Sequence, residues 1–322
     1  MMRIKSVLKN SFFYQALKKH TSLLLVIKHP IIKVKYEITK RKINIPNILS
    51  FEDTLEKLEN ENVSLGRFGD GELRWLLNLD IGYFQSESKE LSKRLLEVIQ
   101  SDEKNFLVGL PDVFNNVSSL NFDDGLAWES LVIKYGKEWS SKFLKEKKYV
   151  DANVTRPYID RRDKTKSGYY FAKLKNVWKD KHIVIVEGEK TRFGVGNDLL
   201  SDAKTVRRIL CPSINAFDKY QDILDECLDS YKENSDTIYL CALGPTATIL
   251  SYDLFMNGIK AIDIGHVDIE YEWYLMRTET KVAIPNKYVN EVANGNEVVE
   301  NLDDSKYNSE IVKKIGVCDE ES

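Results

Sequence analysis

The chain has few cysteines, few histidines and no long hydrophobic run, and each shortage excludes a class of protein. Its 322 residues include four cysteines and four histidines. The cysteines form no C-x-x-C pair and have no partners at zinc-ligand spacing, so they are typical of thiols in a reducing compartment. The best apolar run, Leu23–Ile27, is far shorter than the roughly 18 residues that a membrane span requires.

The shortage of histidine also bears on catalysis. No Ser/His/Asp or Cys/His set stands out, because two histidines lie near the N-terminus and His182 begins a predicted strand. Only His266, at the end of another predicted strand, is followed by a series of carboxylates. The sequence KHPIIKVK follows the run at Leu23–Ile27 and contains no signal-peptide cleavage pattern. We therefore expect a cytoplasmic protein that does not use a nucleophilic triad.

The net charge of −3 conceals an asymmetry between the two parts of the chain. Residues 1–43 contain eleven lysines and arginines and one acid, whereas the remainder contains 36 bases and 49 acids. A basic arm on an acidic body suggests that the arm meets something anionic, such as a membrane surface. The acidic body, together with the scarcity of aromatic residues interleaved with the basic ones, disfavours nucleic-acid binding.

Residues 1–45 are predicted to form a basic, amphipathic and largely helical extension. Two interpretations stay open: the helix packs on the body with its lysines in solvent, or it contacts a membrane surface, which would make the protein membrane-associated. The apolar stripe of its first part consists of Ile4, Val7, Leu8, Phe12, Tyr14 and Leu17.

From about residue 50 the pattern alternates between short apolar strands and helices. Such alternation predicts an α/β fold with a mainly parallel sheet flanked by helices, in which ligands bind beyond the carboxyl ends of the strands. The predicted strands are Val63–Phe68, Phe106–Leu110, His182–Glu187, Arg208–Cys211, Thr237–Leu243 and Ala261–Ile264. The predicted helices include Ser88–Ser101, Leu126–Leu144, Phe217–Glu233 and Thr246–Asn257.

The first of four strand-end clusters has the sequence GDGE, residues 69–72. If this stretch is extended or turning, Asp70 and Glu72 can face one cation, since residues i and i+2 point the same way from an extended chain. Oxygen ligands of this kind suit Mg²⁺ or Mn²⁺. The alternative is a helix N-terminus, with Asp70 as its cap and Glu72 in its first turn. A cap and a ligand can also coexist.

The second cluster, residues 183–200, carries a glycine-rich loop after a strand. Asn197 and Asp198 can cap a following helix, and glycines before a helix N-terminus let backbone N–H groups approach a phosphate. Lys190 and Arg192 can add positive charge beside a diphosphate. The loop matches neither G-x-G-x-x-G nor the P-loop pattern, so a plain turn is the alternative.

The third cluster joins a buried strand to a helix through Gly244, Pro245 and Thr246. Pro at the first helical position loses no hydrogen bond, and the threonine hydroxyl lies beside free backbone donors. An ordinary strand-to-helix junction accounts for this sequence equally well.

The fourth cluster follows Asp263, where Gly265 and His266 end a predicted strand. Acidic and apolar residues then alternate over 267–272, which is typical of an edge strand with one wet face. The other interpretation takes His266, beside these carboxylates, as a metal ligand or a general base. The alternating acids are Asp268, Glu270 and Glu272.

Together the motifs RFGDGE, TRFGVGNDLL, LGPTAT-x-L-x-YDL and DIGH-x-D-x-EYEW resemble one family. They look like those of the GT-D-type glycosyltransferases of bacterial glycan and glycoprotein synthesis, in the family's order, over roughly residues 48–280. The resemblance implies a Rossmann-like domain, a UDP-sugar donor, and a divalent cation (Mn²⁺ or Mg²⁺) at the D-x-E motif formed by Asp70 and Glu72. The predicted units are an extension (1–47), the glycosyltransferase domain (48–285) and a C-terminal tail (286–322).

Resemblance and position together assign the remaining site residues. The residues expected to contact the nucleotide are Arg67, Arg192, Gly194, Val195, Gly196, Asn197, Asp198, Gly244 and Thr246. The residues expected near the reacting centre are His266, Asp268 and Glu270. The expected function is transfer of a hexose, with UDP-glucose as the typical donor, to a glycan or glycoprotein acceptor. A metal-dependent phosphohydrolase or nucleotidyltransferase and a non-catalytic nucleotide-sugar-binding subunit remain as alternatives.

Overall fold

A nine-stranded sheet forms the centre of the computed structural model, which describes residues 28–79, 85–86, 88–231, 237–295, 297–298 and 302–317. The strands are β1 (Asn47–Ile48), β2 (Ser64–Arg67), β3 (Phe106–Leu110), β4 (Lys148–Asp151), β5 (His182–Gly188), β6 (Thr205–Cys211), β7 (Thr237–Ala242), β8 (Ala261–Asp263) and β9 (Ile311–Lys314). Their order in the sheet is β1-β4-β3-β2-β8-β7-β5-β6-β9, and all neighbouring pairs of these strands are parallel.

Helices cover both faces of this sheet. They are α1 (residues 28–40), α2 (Phe51–Asn60), α3 (Asp70–Trp75), α4 (Lys89–Ile99), α5 (Phe122–Ser140), α6 (Ser167–Trp178), α7 (Tyr220–Tyr231), α8 (Pro245–Met256), α9 (Val267–Leu275) and α10 (Ser305–Glu310). Side-chain oxygens of Ser50, Ser88 and Asn121 accept backbone N–H groups in the first turns of α2, α4 and α5. Local capping therefore sets where these helices begin.

Strand β5 illustrates how the core forms on both faces. Ile183 and Ile185 belong to one buried cluster, whereas Val184 and Val186 belong to the cluster on the other face. Successive strand residues point to opposite faces, so a strand that is covered on both faces must be apolar throughout. Strand β6 lies on one side of β5, and the next strand in the chain, β7, lies on the other side of β5. The boundary between β5 and β7 is therefore a topological switch point.

The structure confirms the predicted α/β class, the parallel sheet and its flanking helices. The six predicted strands correspond to β2, β3, β5, β6, β7 and β8. The sequence pattern missed β1, β4 and β9, which have only two to four residues each. Strands β1 and β9 are also largely exposed, so they lack the continuous apolar run that marked β2 and β8.

The edge-strand interpretation of residues 267–272 is wrong, because these residues lie in α9. The helix is buried over most of its surface, with Val267 and Trp273 inaccessible, Asp268 and Glu270 buried and Glu272 half-buried. A helix buried on every side has no amphipathic stripe, so its sequence does not show the helical period.

The two ends of the chain add to this fold in different ways. Helix α1 confirms a basic helical extension, whereas the apolar stripe predicted over residues 4–17 lies outside the described residues. At the other end, β9 pairs with β6 and extends the sheet. The domain boundaries at residues 47 and 285 stay predictions. Within the described residues, no helix is both long and apolar enough to cross a bilayer.

Candidate active site

The four strand-end clusters meet at one edge of the sheet. They follow β2, β8, β7 and β5, which are consecutive neighbours in the sheet although 196 positions separate Arg67 from Asp263 in the chain. All of these strands are parallel, so their carboxyl ends lie at the same edge. The site predicted from separate motifs is therefore one continuous region.

An ion pair between Arg67 and Asp263 lies where β2 meets β8. The Arg67 Nη2 donates to Asp263 Oδ1 at 3.0 Å, and Nε donates to the Asp263 carbonyl oxygen at 3.0 Å. The backbone N–H of Arg67 donates to Asp263 Oδ2 at 3.2 Å, and the Thr248 hydroxyl donates to the same oxygen at 3.1 Å. The orientation of the guanidinium is thus fixed by the two strands and by α8.

Gly265 allows Arg67 to lie in this position. A Cβ atom at residue 265 would stand 1.9 Å from Arg67 Nη2, and the backbone there has φ +50°. Both the space and the backbone conformation therefore require glycine. The next residue is His266, so its backbone directly follows the glycine against which Arg67 lies.

Glu72 contributes a second carboxylate to this region. It stands in the first turn of α3, where its Oε2 accepts the backbone N–H of Gly69 at 2.9 Å. Burial, and then the charge of Asp263, raise the pKa of Glu72 to about 7, although Arg67 opposes the shift. A cation beside Glu72 would favour the charged carboxylate and so oppose the effects of burial and of Asp263 on this pKa.

Asp70 and Glu72 do not lie on an extended segment, so that geometric expectation is wrong. Helix α3 begins at Asp70 after its N-cap Gly69, and in a helix residues two apart point about 200° from one another. Asp70 faces solvent, with its side chain 56% exposed and its Oδ2 3.6 Å from Arg74 Nη2. The structure instead has the helix N-terminus of the alternative interpretation, with Glu72 in the first turn, except that Gly69 rather than Asp70 is the N-cap.

The donor chemistry at α3 fits a hard divalent cation. Among the described residues, no three His, Cys, Asp or Glu side chains are grouped as a protein-only metal site would require. Magnesium-type ions, however, often take one or two carboxylates and complete their shell with water and substrate phosphates. Each carboxylate by itself suits such an ion, since Asp70 is exposed and the pKa of Glu72 is raised. The two side chains point in different directions from α3, however, so one ion would take both only if the start of this helix rearranges.

His266 is held by residues that the sequence pattern did not indicate. Its Nδ1 lies 2.8 Å from Glu291 Oε1 and 3.1 Å from Arg156 Nη1. Arg156 in turn donates to both oxygens of Glu291, at 2.8 and 2.9 Å. Burial opposes ionisation of Glu291, but Arg156 and His266 together hold the pKa of this carboxyl far below its usual range. When Nδ1 carries the proton and donates it to Glu291, Nε2 is unprotonated, whereas a hydrogen bond from Arg156 to Nδ1 requires the other tautomer.

A network of charges surrounds this trio. Lys281 Nζ lies 2.8 Å from Glu291 Oε2 and 2.9 Å from Asp160 Oδ1, and Asp160 also pairs with Arg156. These residues come from loops far apart in the sequence, so no spacing or periodicity predicts their contact. The segment 281–291 thereby joins the loop after β4 to the end of β8.

The carboxylates of Glu270 and Asp268 have internal partners. Glu270 Oε2 accepts the backbone N–H groups of Tyr158 and Ile159 at 2.9 Å each, and burial raises the pKa of Glu270 to about 8. Asp268 receives the Lys287 ammonium at 2.7 and 2.9 Å, and both side chains are buried. Of the three predicted candidates, His266 is the one that is partly exposed at the sheet edge, at 35%.

The glycine loop after β5 is anchored to α9 rather than followed by a helix. Residues 189–204 form turns that lead directly to β6, so the predicted helix N-terminus is absent from this connection. Asn197 Nδ2 donates to Asp268 and to Glu272 at 2.8 Å each, and Asp198 accepts the Tyr271 hydroxyl at 2.6 Å. These contacts hold the loop against α9 without helical backbone.

Two glycines shape the loop, and Arg192 supports it from within. Gly194 has φ +72° and Gly196 has φ +80°, a region that favours glycine, with Val195 half-buried between them. Arg192 is buried, and its Nη1 donates to the carbonyl oxygen of Asn286 at 3.1 Å. At least one N–H group of Arg192 is therefore used in a hydrogen bond within the protein.

The junction after β7 contributes a helix N-terminus to the same edge. Gly244 has φ +55° and ψ −138°, and Pro245 begins α8. Thr246 is fully buried, and its hydroxyl has no hydrogen-bond partner within the described part of the chain. Buried hydroxyls are rarely left in this state, so a ligand or water at this junction is the natural partner.

Comparison with known proteins decides the family. A sequence profile described as "Glycosyltransferase GT-D fold" matches residues 65–292, which is well over half of the chain. The chain belongs to the GT-D glycosyltransferase family. The match includes all four strand-end clusters as well as Glu291, whereas β9 lies beyond it.

Two curated relatives are considerably longer than this chain. The "Probable glycosyl transferase Gly" of Streptococcus gordonii is 38% identical over 272 residues, which cover 84% of this chain and 39% of that protein. "Glycosyltransferase GlyD" of Streptococcus pneumoniae serotype 4 is 35% identical over 287 residues, which cover 87% of this chain and 34% of that protein. The chain therefore spans well under half of each relative.

A solved GT-D structure supports the fold independently. It is described as a "domain of unknown function 1792" with "a distinct glycosyltransferase fold", and it superposes with a TM-score of 0.81 at 36% identity. The superposition covers 87% of this chain and 100% of that chain. The nine-stranded parallel sheet of this chain thus belongs to a glycosyltransferase fold.

Proposed function

We propose that this chain is a metal-dependent glycosyltransferase that moves a hexose from a nucleotide sugar to a glycan or glycoprotein acceptor. UDP-glucose or a related UDP-sugar is the proposed donor, and surface-polysaccharide or glycoprotein synthesis in a bacterium is the proposed setting. One observation carries the proposal: the four motif clusters follow four adjacent parallel strands, at the edge where α/β folds bind nucleotides.

Positive charge and backbone donors at this edge suit a diphosphate. Arg67 has five N–H donors, of which three have acceptors among the described residues, and the other two are proposed to bind a phosphate oxygen. The loop at Gly194–Asp198 and the N-terminus of α8 can add backbone N–H groups, and Arg192 is the second proposed cation. The Thr246 hydroxyl is a further donor.

Asp70 and Glu72 are the proposed ligands of Mn²⁺ or Mg²⁺. When bound, such an ion offsets the negative charge that develops on the diphosphate leaving group. Arg67 acts on the same charge from its position beside Asp263, which orients the guanidinium in advance.

His266 is the proposed general base, with Glu291 as its positioning residue. The acceptor hydroxyl loses its proton to Nε2 as the new glycosidic bond forms and the bond between the sugar and the diphosphate breaks. Glu291 holds the imidazole through Nδ1 and stabilises the imidazolium that results. Asp268 is paired with Lys287 and Glu270 is inaccessible to solvent, so the partly exposed His266 is favoured for this role.

A donor screen tests the proposal. The protein is incubated with Mn²⁺ and a panel of nucleotide sugars, and release of the nucleoside diphosphate and transfer of the sugar are both measured, with and without EDTA. We expect transfer from a UDP-sugar that EDTA abolishes. Release of phosphate without sugar transfer would instead support a phosphohydrolase, and UDP binding without turnover on any acceptor would support a non-catalytic binding subunit.

A further inference from the structure

The outer face of α1 carries an apolar stripe. Ile31, Val34 and Ile38 are 61%, 59% and 46% exposed. At about 100° per helical residue, these three side chains fall within about 60° of one another around the helix axis. The same geometry puts Tyr36, which is only 2% exposed, on the opposite face.

The inner face of α1 fixes this orientation. The Tyr36 hydroxyl donates to the carbonyl oxygen of Val113 at 2.5 Å, and His29 Nε2 lies 3.0 Å from Glu129 on α5. Thr39 also lies close to Gly136 of α5. The helix is therefore docked along one side, and the stripe on its other side points away from the body. Val113 lies just past the carboxyl end of β3, at the sheet edge that carries the candidate site.

Exposed cations surround the stripe. The acid on α1, Glu37, already pairs with Lys40 at 3.1 Å. A helix that presents apolar side chains between lysines and arginines is suited to the boundary between the headgroups and acyl chains of an anionic bilayer. The exposed bases on or next to the helix are Lys28, Lys33, Lys35, Arg41 and Lys42.

Charge distinguishes a bilayer from the other possible occupants of this face. Residues 1–27 contain five lysines and arginines and no acid, so placing them on the stripe would bring like charges together. A second copy of α1 would do the same. An anionic membrane offers the opposite charge as well as an apolar phase. We propose that α1 docks on an anionic lipid surface through Ile31, Val34 and Ile38. This proposal does not depend on the glycosyltransferase activity.

Vesicle co-sedimentation of the full chain tests this surface. The vesicles contain either phosphatidylcholine alone or phosphatidylcholine mixed with phosphatidylglycerol. We expect binding to the anionic vesicles, which the triple variant Ile31→Ser, Val34→Ser, Ile38→Ser weakens about tenfold or more. The matched control replaces three apolar residues of similar exposure elsewhere: Ile214→Ser, Met256→Ser and Leu275→Ser. This control is expected to bind as the wild type does.

Several results would overturn the proposal. They are absence of wild-type binding, equal binding to neutral and anionic vesicles, and equal binding by the wild type and the α1 triple variant. Light scattering gives a further test. If the wild type is an oligomer and the α1 triple variant is a monomer, the stripe contacts a second copy of the chain rather than a membrane. Thermal unfolding shows whether each triple variant keeps the wild-type fold. We expect that both do, because all six substituted side chains are exposed.

Discussion

His266 and Glu291 form the pair of residues that the proposed chemistry depends on most. Their contact of 2.8 Å joins the end of β8 to the segment 281–291, and Arg156 donates hydrogen bonds to both oxygens of Glu291. A histidine alone at a strand end could have a structural role. Held at Nδ1 by a carboxylate that stays ionised, the imidazole has the arrangement of a general base.

Removal of the base and removal of its positioning residue should have different effects. His266→Gln is expected to lower kcat about 10²–10⁴-fold, the usual contribution of general-base catalysis, with little change in the KM of the donor. Glu291→Gln is expected to lower kcat less, since Nε2 remains, and Glu291→Asp should restore part of the loss. Steady-state kinetics with saturating acceptor measures both. A Glu291→Gln enzyme with wild-type kcat would contradict the positioning role.

Glu72 should make cation binding depend on pH. Its pKa of about 7 means that a proton competes with the cation below neutrality. We therefore expect the affinity for Mn²⁺, in the presence of saturating UDP, to rise about tenfold between pH 6 and pH 8. Calorimetry at the two pH values measures this.

Glu72→Gln is the control for this titration. UDP itself also takes up protons in this range, and that contribution is the same in the variant. The variant should bind Mn²⁺ more weakly and lose most of the pH dependence. If wild type and variant show the same pH dependence, Glu72 is not a ligand.

At the scale of elements, the loop after β5 offers a matched pair of glycines. Gly196 in the loop has φ +80° and Gly258 after α8 has φ +78°, and at both positions an added Cβ would meet no atom within 4 Å. Alanine should therefore cost similar strain at the two sites, on the order of 1–3 kcal/mol. A difference in UDP affinity between the two variants would therefore show that the ligand approaches the loop backbone.

We expect Gly196→Ala to weaken UDP binding about tenfold and Gly258→Ala to leave it unchanged, because only the first position belongs to the proposed diphosphate loop. Calorimetric titration with UDP gives the affinities, and thermal unfolding shows whether the stabilities match. Equal UDP affinity in the two variants would remove the loop from the nucleotide site.

The elements also show what the sequence could and could not predict. Parallel strands bring their carboxyl ends together, so the strand-end rule predicts that Arg67, Glu72 and His266 lie at one edge of the sheet. The contact between Arg156 and Glu291 joins residues 135 apart in irregular segments, for which no periodicity exists. Helix α9 was misassigned as a strand because its buried acids are satisfied by partners such as Lys287, which lie outside its own sequence.

At the scale of the whole molecule, the C-terminal residues complete the sheet. Strand β9 pairs with β6, and Arg208 of β6 donates to Glu310 at 2.8 Å while also pairing with the buried Glu187 at 2.7 Å. Arg208 is 3% exposed, so these ion pairs are inside the protein rather than on its surface. Residues 302–317 should therefore unfold together with the rest of the sheet.

Glu310→Ala tests this coupling. It removes one acceptor of a buried arginine, and we expect a loss of about 1–3 kcal/mol in the free energy of unfolding, within a single transition. The control is Lys313→Ala, which removes a partly exposed ion pair with Glu226 and should cost less than about 1 kcal/mol. Urea unfolding measures both. Equal effects, or a separate early transition, would show that the C-terminal residues are not part of the cooperative unit.

The central claim is that the D-x-E carboxylates serve a cation-dependent sugar transfer at the edge shared by β2, β8, β7 and β5. The most direct measurement compares UDP release from the active UDP-sugar by wild type and Asp70→Asn, with Mn²⁺ and with EDTA. Asp70 is exposed and pairs only loosely with Arg74, so the variant should keep the fold and its melting temperature. We predict that the wild type turns over only with Mn²⁺ and that Asp70→Asn loses at least about 10²-fold in kcat. Wild-type turnover by Asp70→Asn would contradict the claim.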